Sequence, residues 1–448
     1  MINYKSILFG LAFGGITSLS AQNPIVRDQF SADPTARVFN GKVYVFPSHD
    51  IPTPKDQKQL RKEWFCMADY HVFSSENLTD WTDHGMIVSQ NKVKWVDSTS
   101  YSMWAPDCIE RNGKYYFYFP ANKNIGDVNK RKGFGIGVAV SDKPEGPYVP
   151  MPEPIKGLNG IDPNVFIDKD GQAYLYCAMG NITVAKLKDN MTELASEPQV
   201  IANLPQKGLK EGPFLFERNG VYYLTFPHVE NKTERLEYAM GDNPMGPFKM
   251  AGVVMDESPN CWTNHQSFVQ YKGQWYLFYH QNAYSPKFDK NRSVCIDSLF
   301  FNADGTMQKV TPTLRGVGVT KATQKIEIDR FSSKSEIGSS IAFLDSTNTF
   351  NGWKTVLNSK NAWVKYNAVD FGKEKLKSVK VKAFSENGST LEIRLDKADG
   401  QVIAEVKVPK GKSWVTVNAK VSKQQTGIHN FVVATKDSPV EIDWVQFQ

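Results

Sequence analysis

Ile167-Asp168-Lys169-Asp170-Gly171-Gln172-Ala173-Tyr174 runs from an apolar strand through a glycine turn into an aromatic strand. Four other stretches repeat it: Val38-Phe39-Asn40-Gly41-Lys42-Val43-Tyr44, Ile109-Glu110-Arg111-Asn112-Gly113-Lys114-Tyr115-Tyr116, Phe216-Glu217-Arg218-Asn219-Gly220-Val221-Tyr222-Tyr223 and Val269-Gln270-Tyr271-Lys272-Gly273-Gln274-Trp275-Tyr276. Each has Tyr three residues after its Gly. Asn-Gly, Asp-Gly and Lys-Gly between alternating runs are hairpin signals, because a tight turn needs positive φ where Gly has no Cβ to clash. The glycines are spaced by 72, 58, 49 and 53 residues, and the gaps hold further strand-like stretches such as Gly135 to Val140, Val184 to Leu187 and Leu236 to Met240. Four strands fit each repeat. A period near 50 with four strands per unit marks a β-propeller, and five copies predict five blades.

The whole chain has room for more than this. Its 448 residues are about three times a typical domain of ~150 residues. A make-up of 41% hydrophobic, 12% aromatic and 22% charged residues is that of a globular protein, and no apolar run of membrane-spanning length follows the amino terminus. The formal charge of +6 includes Lys5 and is spread among acids, so no basic stripe points to nucleic acid. After Val310-Thr311-Pro312-Thr313 the repeat stops, and short alternating runs such as Trp363 to Tyr366, Leu391 to Asp396 and Val440 to Phe447 predict a β-sandwich. The expected fold class is all-β, with a propeller over 23–322 and a β-sandwich over 323–448.

Residues 1–22 carry Lys5, an apolar stretch from Ile7 to Ile16 and the small-residue tail Thr17-Ser18-Leu19-Ser20-Ala21, the pattern of a secretory signal peptide. No Cys sits at the cleavage point, so the mature chain is expected to be periplasmic or secreted without a lipid anchor, and monomeric. Cys66, Cys108, Cys177, Cys261 and Cys295 are odd in number and show no CxxC, which predicts buried thiols rather than a disulfide framework or a zinc knuckle.

Eight or nine residues ahead of four of the hairpin glycines lie Asp33 (Ala32-Asp33-Pro34), Asp162 (Ile161-Asp162-Pro163), Glu211 (Lys210-Glu211-Gly212-Pro213) and His265 (Asn264-His265-Gln266), and the second repeat offers Trp104-Ala105-Pro106-Asp107. The first strand of each propeller blade lines the central channel, so equivalent positions converge there. Gathering like charges is costly, and a fold that does so uses the perturbed protonation. Glycoside hydrolysis needs one protonated carboxyl group to assist the leaving oxygen and one ionised group to activate water or attack carbon.

These motifs, in this order, resemble glycoside hydrolase family 43 over about residues 23 to 320. The resemblance implies Asp33 as the base that activates water, Glu211 as the general acid, and Asp162 as the residue that raises the acid's pKa and orients it. It also implies that His265 helps hold a calcium ion in the channel, largely through water, and that Arg292 binds substrate, with a buried histidine and a surface ion pair as the plainer alternatives. Trp104 is either a wall of the sugar pocket or a core residue, and His49 and Asp50 are either pocket contacts or a structural turn. The segment from Ile51 to Lys62 reads as an insertion on the pocket rim. The carboxyl-terminal part is similar to family 6 carbohydrate-binding modules, which implies a structural calcium at Glu327, Asp329 and Asp443 and a sugar-stacking ring at Trp414. No organic cofactor is implied. The expected activity is inverting removal of α-L-arabinofuranosyl residues from arabinoxylan or arabinan during plant cell-wall breakdown. The alternatives are a β-xylosidase or endo-xylanase of the same family, and a carbohydrate-binding propeller without catalysis.

Overall fold

A computed structural model describes residues 22–448 except 56, 58–62, 124–132, 179, 259, 424 and 438. Residues 1–21 of the expected leader (1–22) and most of the charged half of the expected rim insertion lie outside the described residues.

Five antiparallel sheets form the amino-terminal domain. Blade 1 comprises Ala32–Phe39, Lys42–Asp50, Met67–Ser75 and Thr82–Ser89; blade 2 comprises Asp107–Arg111, Lys114–Asn122, Phe134–Ser141 and Val149–Pro150. Blade 3 runs Ile161–Ile167, Ala173–Ala178, Ile182–Lys186 and Gln199–Val200, and blade 4 runs Phe214–Arg218, Val221–Val229, Glu234–Gly241 and Phe248–Met255. The quoted hairpins join the first two strands of every blade. At four of the five turns two successive residues have positive φ, as in Asn40-Gly41 and Lys272-Gly273, which matches the twist of the flanking strands.

Blade 5 departs from the four-strand expectation, having only Ser267–Tyr271, Gln274–Gln281 and Ser293–Leu299. The chain's own start covers its outer edge. Ile25 N–H donates to Val294 O at 2.9 Å, Ser31 N–H to Arg292 O at 2.9 Å, and Ile296 N–H to Asn23 Oδ1 at 2.8 Å. An edge that would otherwise expose unpaired backbone is thereby closed by the segment leading into blade 1.

A belt of side-chain bonds around the axis locks the blades together. Asp107 accepts from Thr35 Oγ1 (2.9 Å) and Arg37 on blade 1, and from Asn164 Nδ2 (3.0 Å) and Val165 N–H (2.6 Å) on blade 3. Asn164 Oδ1 takes Leu215 N–H of blade 4 at 2.9 Å; Gln266 of blade 5 donates to Gly212 O at 2.9 Å; and Ser267 Oγ takes Ala36 N–H of blade 1 at 2.9 Å. Aromatic clusters fill the spaces between blades, as where Tyr44 and Phe46 pack with Phe117 and Tyr148.

Two six-stranded sheets form the carboxyl-terminal sandwich around one apolar core. Its first strand, Thr320–Lys321, pairs with Trp363–Asp370, so the sandwich begins three residues before the boundary expected from sequence. The two domains are bolted together by a buried cation. Arg330, 1% exposed, donates through Nη2 to Tyr284 OH at 2.8 Å and through Nη1 to Asn23 O, with its guanidinium 4.4 Å from the Trp353 ring centre. Tyr284 stacks on Trp353 at 4.7 Å. Gln22, which the sequence assigns to the leader, is buried here and donates to Tyr366 OH at 2.7 Å; cleavage after Gln22 would remove that bond.

Candidate active site

Asp33 and Asp162 occupy equivalent places on the innermost strands of blades 1 and 3. Each has a left-handed backbone, with φ of 48° and 56°, and each sits before a proline where the strand register shifts. The bulge tips a side chain out of the ladder and into the channel. Holding a non-glycine residue there costs about 1–3 kcal/mol, a strain that the belt of inter-blade bonds sustains.

The Asp33 carboxylate is gripped on every side. Arg292 Nη1 reaches Oδ1 at 2.8 Å, Arg292 Nη2 reaches Oδ2 at 3.2 Å, and Ser48 Oγ donates to Oδ2 at 2.7 Å. Asp33 N–H donates to His280 Nδ1 at 3.1 Å, so this imidazole is neutral and places its Nε2 proton on Thr263 O at 3.0 Å. Burial alone would raise the Asp33 pKa; Arg292, then His280 and His265, with the Ser48 hydroxyl, hold it instead at about 2. Asp33 is therefore an ionised carboxylate at any physiological pH.

Arg292 differs from its expected role. Its Nε and Nη2 donate to Asp50 at 3.0 and 2.9 Å, its Nη1 and Nη2 to Asp33, and Nη1 also to Thr263 Oγ1 at 3.3 Å. All five guanidinium N–H groups are thus directed at protein, and the residue is 2% exposed. In this structure it is neither a surface ion pair nor a free fork but the buried counter-ion of Asp33 and Asp50. Asp50 is likewise no pocket contact, being 1% exposed and turned onto Arg292. His49 points the other way along blade 1, where Nδ1 meets Asp69 at 2.8 Å in a row that continues to His71 and Asp83.

On the opposite side stand Asp162 and Glu211. Asp162 is 5% exposed and accepts Gly212 N–H at 2.9 Å. Burial, the neighbouring Glu211 and then Asp33 push its pKa well above the ordinary range. Glu211 is half-buried and is a neighbouring charge of Asp162. Gly212 makes this geometry: its φ is 51°, and a Cβ there would come within 2.9 Å of Pro227 and 3.0 Å of His265 Cε1. One side of the channel is therefore a fixed anion and the other a cluster of acids that cannot all be ionised.

His265 lies against Gly212, and Asp33 and Arg292 are among the charges that act on it; burial lowers its pKa. Among the described residues it belongs to no group of three or more ligating side chains, so a cation beside it would have to be held mostly through water, which is the arrangement the resemblance implies. Glu327, Asp329 and Asp443 are not brought together as a cage. Glu327 pairs with Arg27 at 2.9 Å, Asp329 with Arg330 at 3.2 Å, and Asp443 with Lys382 at 2.8 Å. Arg330 supplies positive charge beside the first two acids.

Trp104 is half-buried beside Phe134, at 4.9 Å between ring centres, on the margin of the apolar cluster between blades 1 and 2. Trp414, half-buried, packs with Phe384 at 6.2 Å and has Lys354 and Lys382 within 6.0 Å of its ring. Unforeseen from sequence is an aromatic cluster beside Arg292: Trp64, Phe65 and Trp262 lie 5.0 to 6.4 Å apart, with Phe65 over the Arg292 guanidinium at 4.7 Å. The five cysteines are all buried free thiols.

The profile of Glycosyl hydrolases family 43 matches residues 21–307, and that of the family 6 carbohydrate-binding module matches 320–448. The chain is 37% identical over 337 residues to a xylosidase/arabinosidase of Humicola insolens, covering 64% of this chain and 99% of that one. It is 28% identical over 475 residues to an arabinoxylan arabinofuranohydrolase of Bacillus subtilis (strain 168), covering 91% and 88%. Among solved structures, a β-xylosidase/α-arabinofuranosidase from a compost microbial metagenome superposes with a TM-score of 0.58 at 34% identity, covering 65% of this chain and 97% of that one. The Bacillus subtilis arabinofuranohydrolase superposes with a TM-score of 0.55 at 25% identity over 96% and 99%. This chain belongs to glycoside hydrolase family 43 and is a glycosyl hydrolase of the arabinofuranosidase or xylosidase type in xylan breakdown, with a family 6 carbohydrate-binding module at its carboxyl end.

Proposed function

We propose that the protein is an exported, inverting α-L-arabinofuranosidase that removes side-chain sugars from arabinoxylan or arabinan. Asp33, held ionised by Arg292, takes a proton from water as the water oxygen bonds to the anomeric carbon. Glu211 gives its proton to the departing glycosidic oxygen as the carbon–oxygen bond breaks. Asp162, oriented by Gly212 N–H, sets the protonation and direction of Glu211. Trp64 and Trp262, both only partly buried, offer flat apolar faces against which a sugar ring can lie. A calcium ion in the channel would be held by His265 and otherwise through water, adding positive charge near Asp33.

The observation that carries the reading is the asymmetry of the acids: one carboxylate clamped by a guanidinium, facing a group of carboxyls that retain protons. Arabinofuranoside is favoured because the relatives that match across both domains are arabinoxylan arabinofuranohydrolases. A β-xylosidase is the second reading, since the propeller alone matches relatives named for both sugars. The test is hydrolysis of aryl α-L-arabinofuranoside and aryl β-D-xyloside by the purified protein beside Asp33→Ala and Glu211→Ala. Faster cleavage of the arabinofuranoside, lost in both variants, is expected. Preference for the xyloside selects the second reading, and wild-type rates in both variants would reject the assigned acid and base.

A further inference from the structure

His49 lies on the second strand of blade 1, and because its neighbour Asp50 is turned onto Arg292, its own side chain leaves the opposite face of the sheet. Asp69 and His71, two residues apart on the third strand, share one face of it. His49 Nδ1 lies 2.8 Å from Asp69 Oδ1, His71 Nε2 lies 3.9 Å from the same oxygen, and the three residues' ligand atoms are all within 4.8 Å of one another. Their side chains are 18–21% exposed, so solvent reaches the cluster. The other nitrogen of His71 is already engaged: Nδ1 sits 3.3 Å from each carboxylate oxygen of Asp83, on the fourth strand. A carboxylate only accepts, so the Nδ1 proton goes to Asp83, and neutral His71 presents the lone pair of Nε2 toward the Asp69 oxygen. Two acceptors facing each other at 3.9 Å, beyond hydrogen-bond length, are the setting for a cation between them.

We infer that His49, Asp69 and His71 form a binding site for one divalent transition-metal ion of the zinc class, with Asp83 as the outer partner that orients His71. Two imidazoles and one carboxylate are a donor set such ions take, whereas calcium takes six to eight oxygens. Donor atoms on a tetrahedral ion with bonds of about 2.0–2.1 Å stand roughly 3.3 Å apart, so the present separations reach that geometry by small turns of the side chains. Water completes the fourth position. As the ion binds, the proton that neutral His49 directs from Nδ1 to Asp69 moves to Nε2, which frees the Nδ1 lone pair. The His71–Asp83 pair is the carboxylate–histidine–metal arrangement that fixes a ligating ring and raises its basicity. Asp28, in the segment leading into blade 1, adds a further negative charge acting on His71. The ion would join three strands of one blade, at a site that shares no residue with the channel acids or with His265.

The test is calorimetric titration of zinc chloride into the purified chain, free of any histidine tag and in a buffer containing calcium so that oxygen-rich sites are filled. One zinc ion per molecule should bind. Asp83→Ala, which removes only the partner of His71 Nδ1, should weaken binding roughly 10- to 100-fold, and His49→Ala and His71→Ala should weaken it further. Cobalt(II) used as a coloured probe should give the visible bands of a site built from nitrogen and oxygen donors. No zinc uptake by the wild type would overturn the proposal and leave the cluster as a row of hydrogen bonds and ion pairs. Unchanged affinity in both histidine variants, or a thiolate charge-transfer band with cobalt that places the metal on a cysteine, would overturn it as well. Should an alanine variant fail to fold, His71→Gln keeps the size of the side chain and must show the same loss of zinc, and retention of wild-type affinity there rejects the site.

Discussion

Arg292 holds Asp33 from a position 259 residues away in the chain, one guanidinium nitrogen on each carboxylate oxygen at 2.8 and 3.2 Å. The bond is what makes a buried acid a permanent anion. Replacing Arg292 by Lys keeps a charge but loses the two-pronged grip. The acidic limb of kcat/KM in Arg292→Lys should move up by at least about one pH unit, as the Asp33 pKa returns from about 2 toward the usual carboxylate range. A pH–rate profile of the two proteins on one aryl glycoside measures it.

The same pair makes a stability prediction. The Asp33 pKa is lowered on folding, so its contribution is fully present above the unfolded value near ~4 and is lost as pH falls through about 2. Arg292→Lys should therefore be less stable than wild type by about 2 kcal/mol at pH 6, with a smaller gap at pH 2.5. Urea unfolding at both pH values reads the difference.

Asp107 joins three blades at the axis, and its loss should be felt as loss of the ring. Asp107→Ala strands the Arg37 guanidinium and leaves Val165 N–H unpaired, which should cost about 3–5 kcal/mol and lower the melting temperature. Activity per folded molecule at low temperature should fall less than stability, since the belt supports the acids without touching substrate.

Gly212 has the opposite signature. A methyl group there meets Pro227 and His265 and strains a left-handed backbone, displacing the N–H that orients Asp162. Gly212→Ala should lose on the order of 100-fold in kcat with a change in KM several times smaller, because a shift of about 1 Å in the acid is enough. Steady-state kinetics on either aryl glycoside checks this.

Arg330 makes the two domains one unit. Arg330→Ala removes its bonds to Tyr284 and Asn23 and its contact with Trp353. Calorimetry should then resolve separate melting of propeller and sandwich where the wild type melts as a single transition.

What could be read from sequence was whatever repeats. A glycine turn followed by Tyr recurs at each blade, so fold class and blade count follow from pattern alone, and acids in constant register with those turns follow with it. Partners outside the register could not be read. Nothing about Asn291-Arg292-Ser293 says that Asp50, 242 residues earlier, will occupy half of its donors. Glu234 and Glu237 are buried while Glu230 is exposed, and no local pattern separates them. The missing strand of blade 5 was hidden because its backbone partners come from residues 23–31, which lack the strand alternation. That Arg330 pairs with both Glu327 and Asp329, which the resemblance implies as calcium ligands, could likewise not be read from the local sequence.

The stereochemistry of the first-formed sugar tests the central claim most directly, because it reports whether Asp33 delivers water or attacks carbon. Proton NMR during cleavage of an aryl α-L-arabinofuranoside should show the β-anomer appearing first and then mutarotating. An α-anomer formed first would mean net retention, and a clamped base delivering water from the far side of the sugar would be wrong.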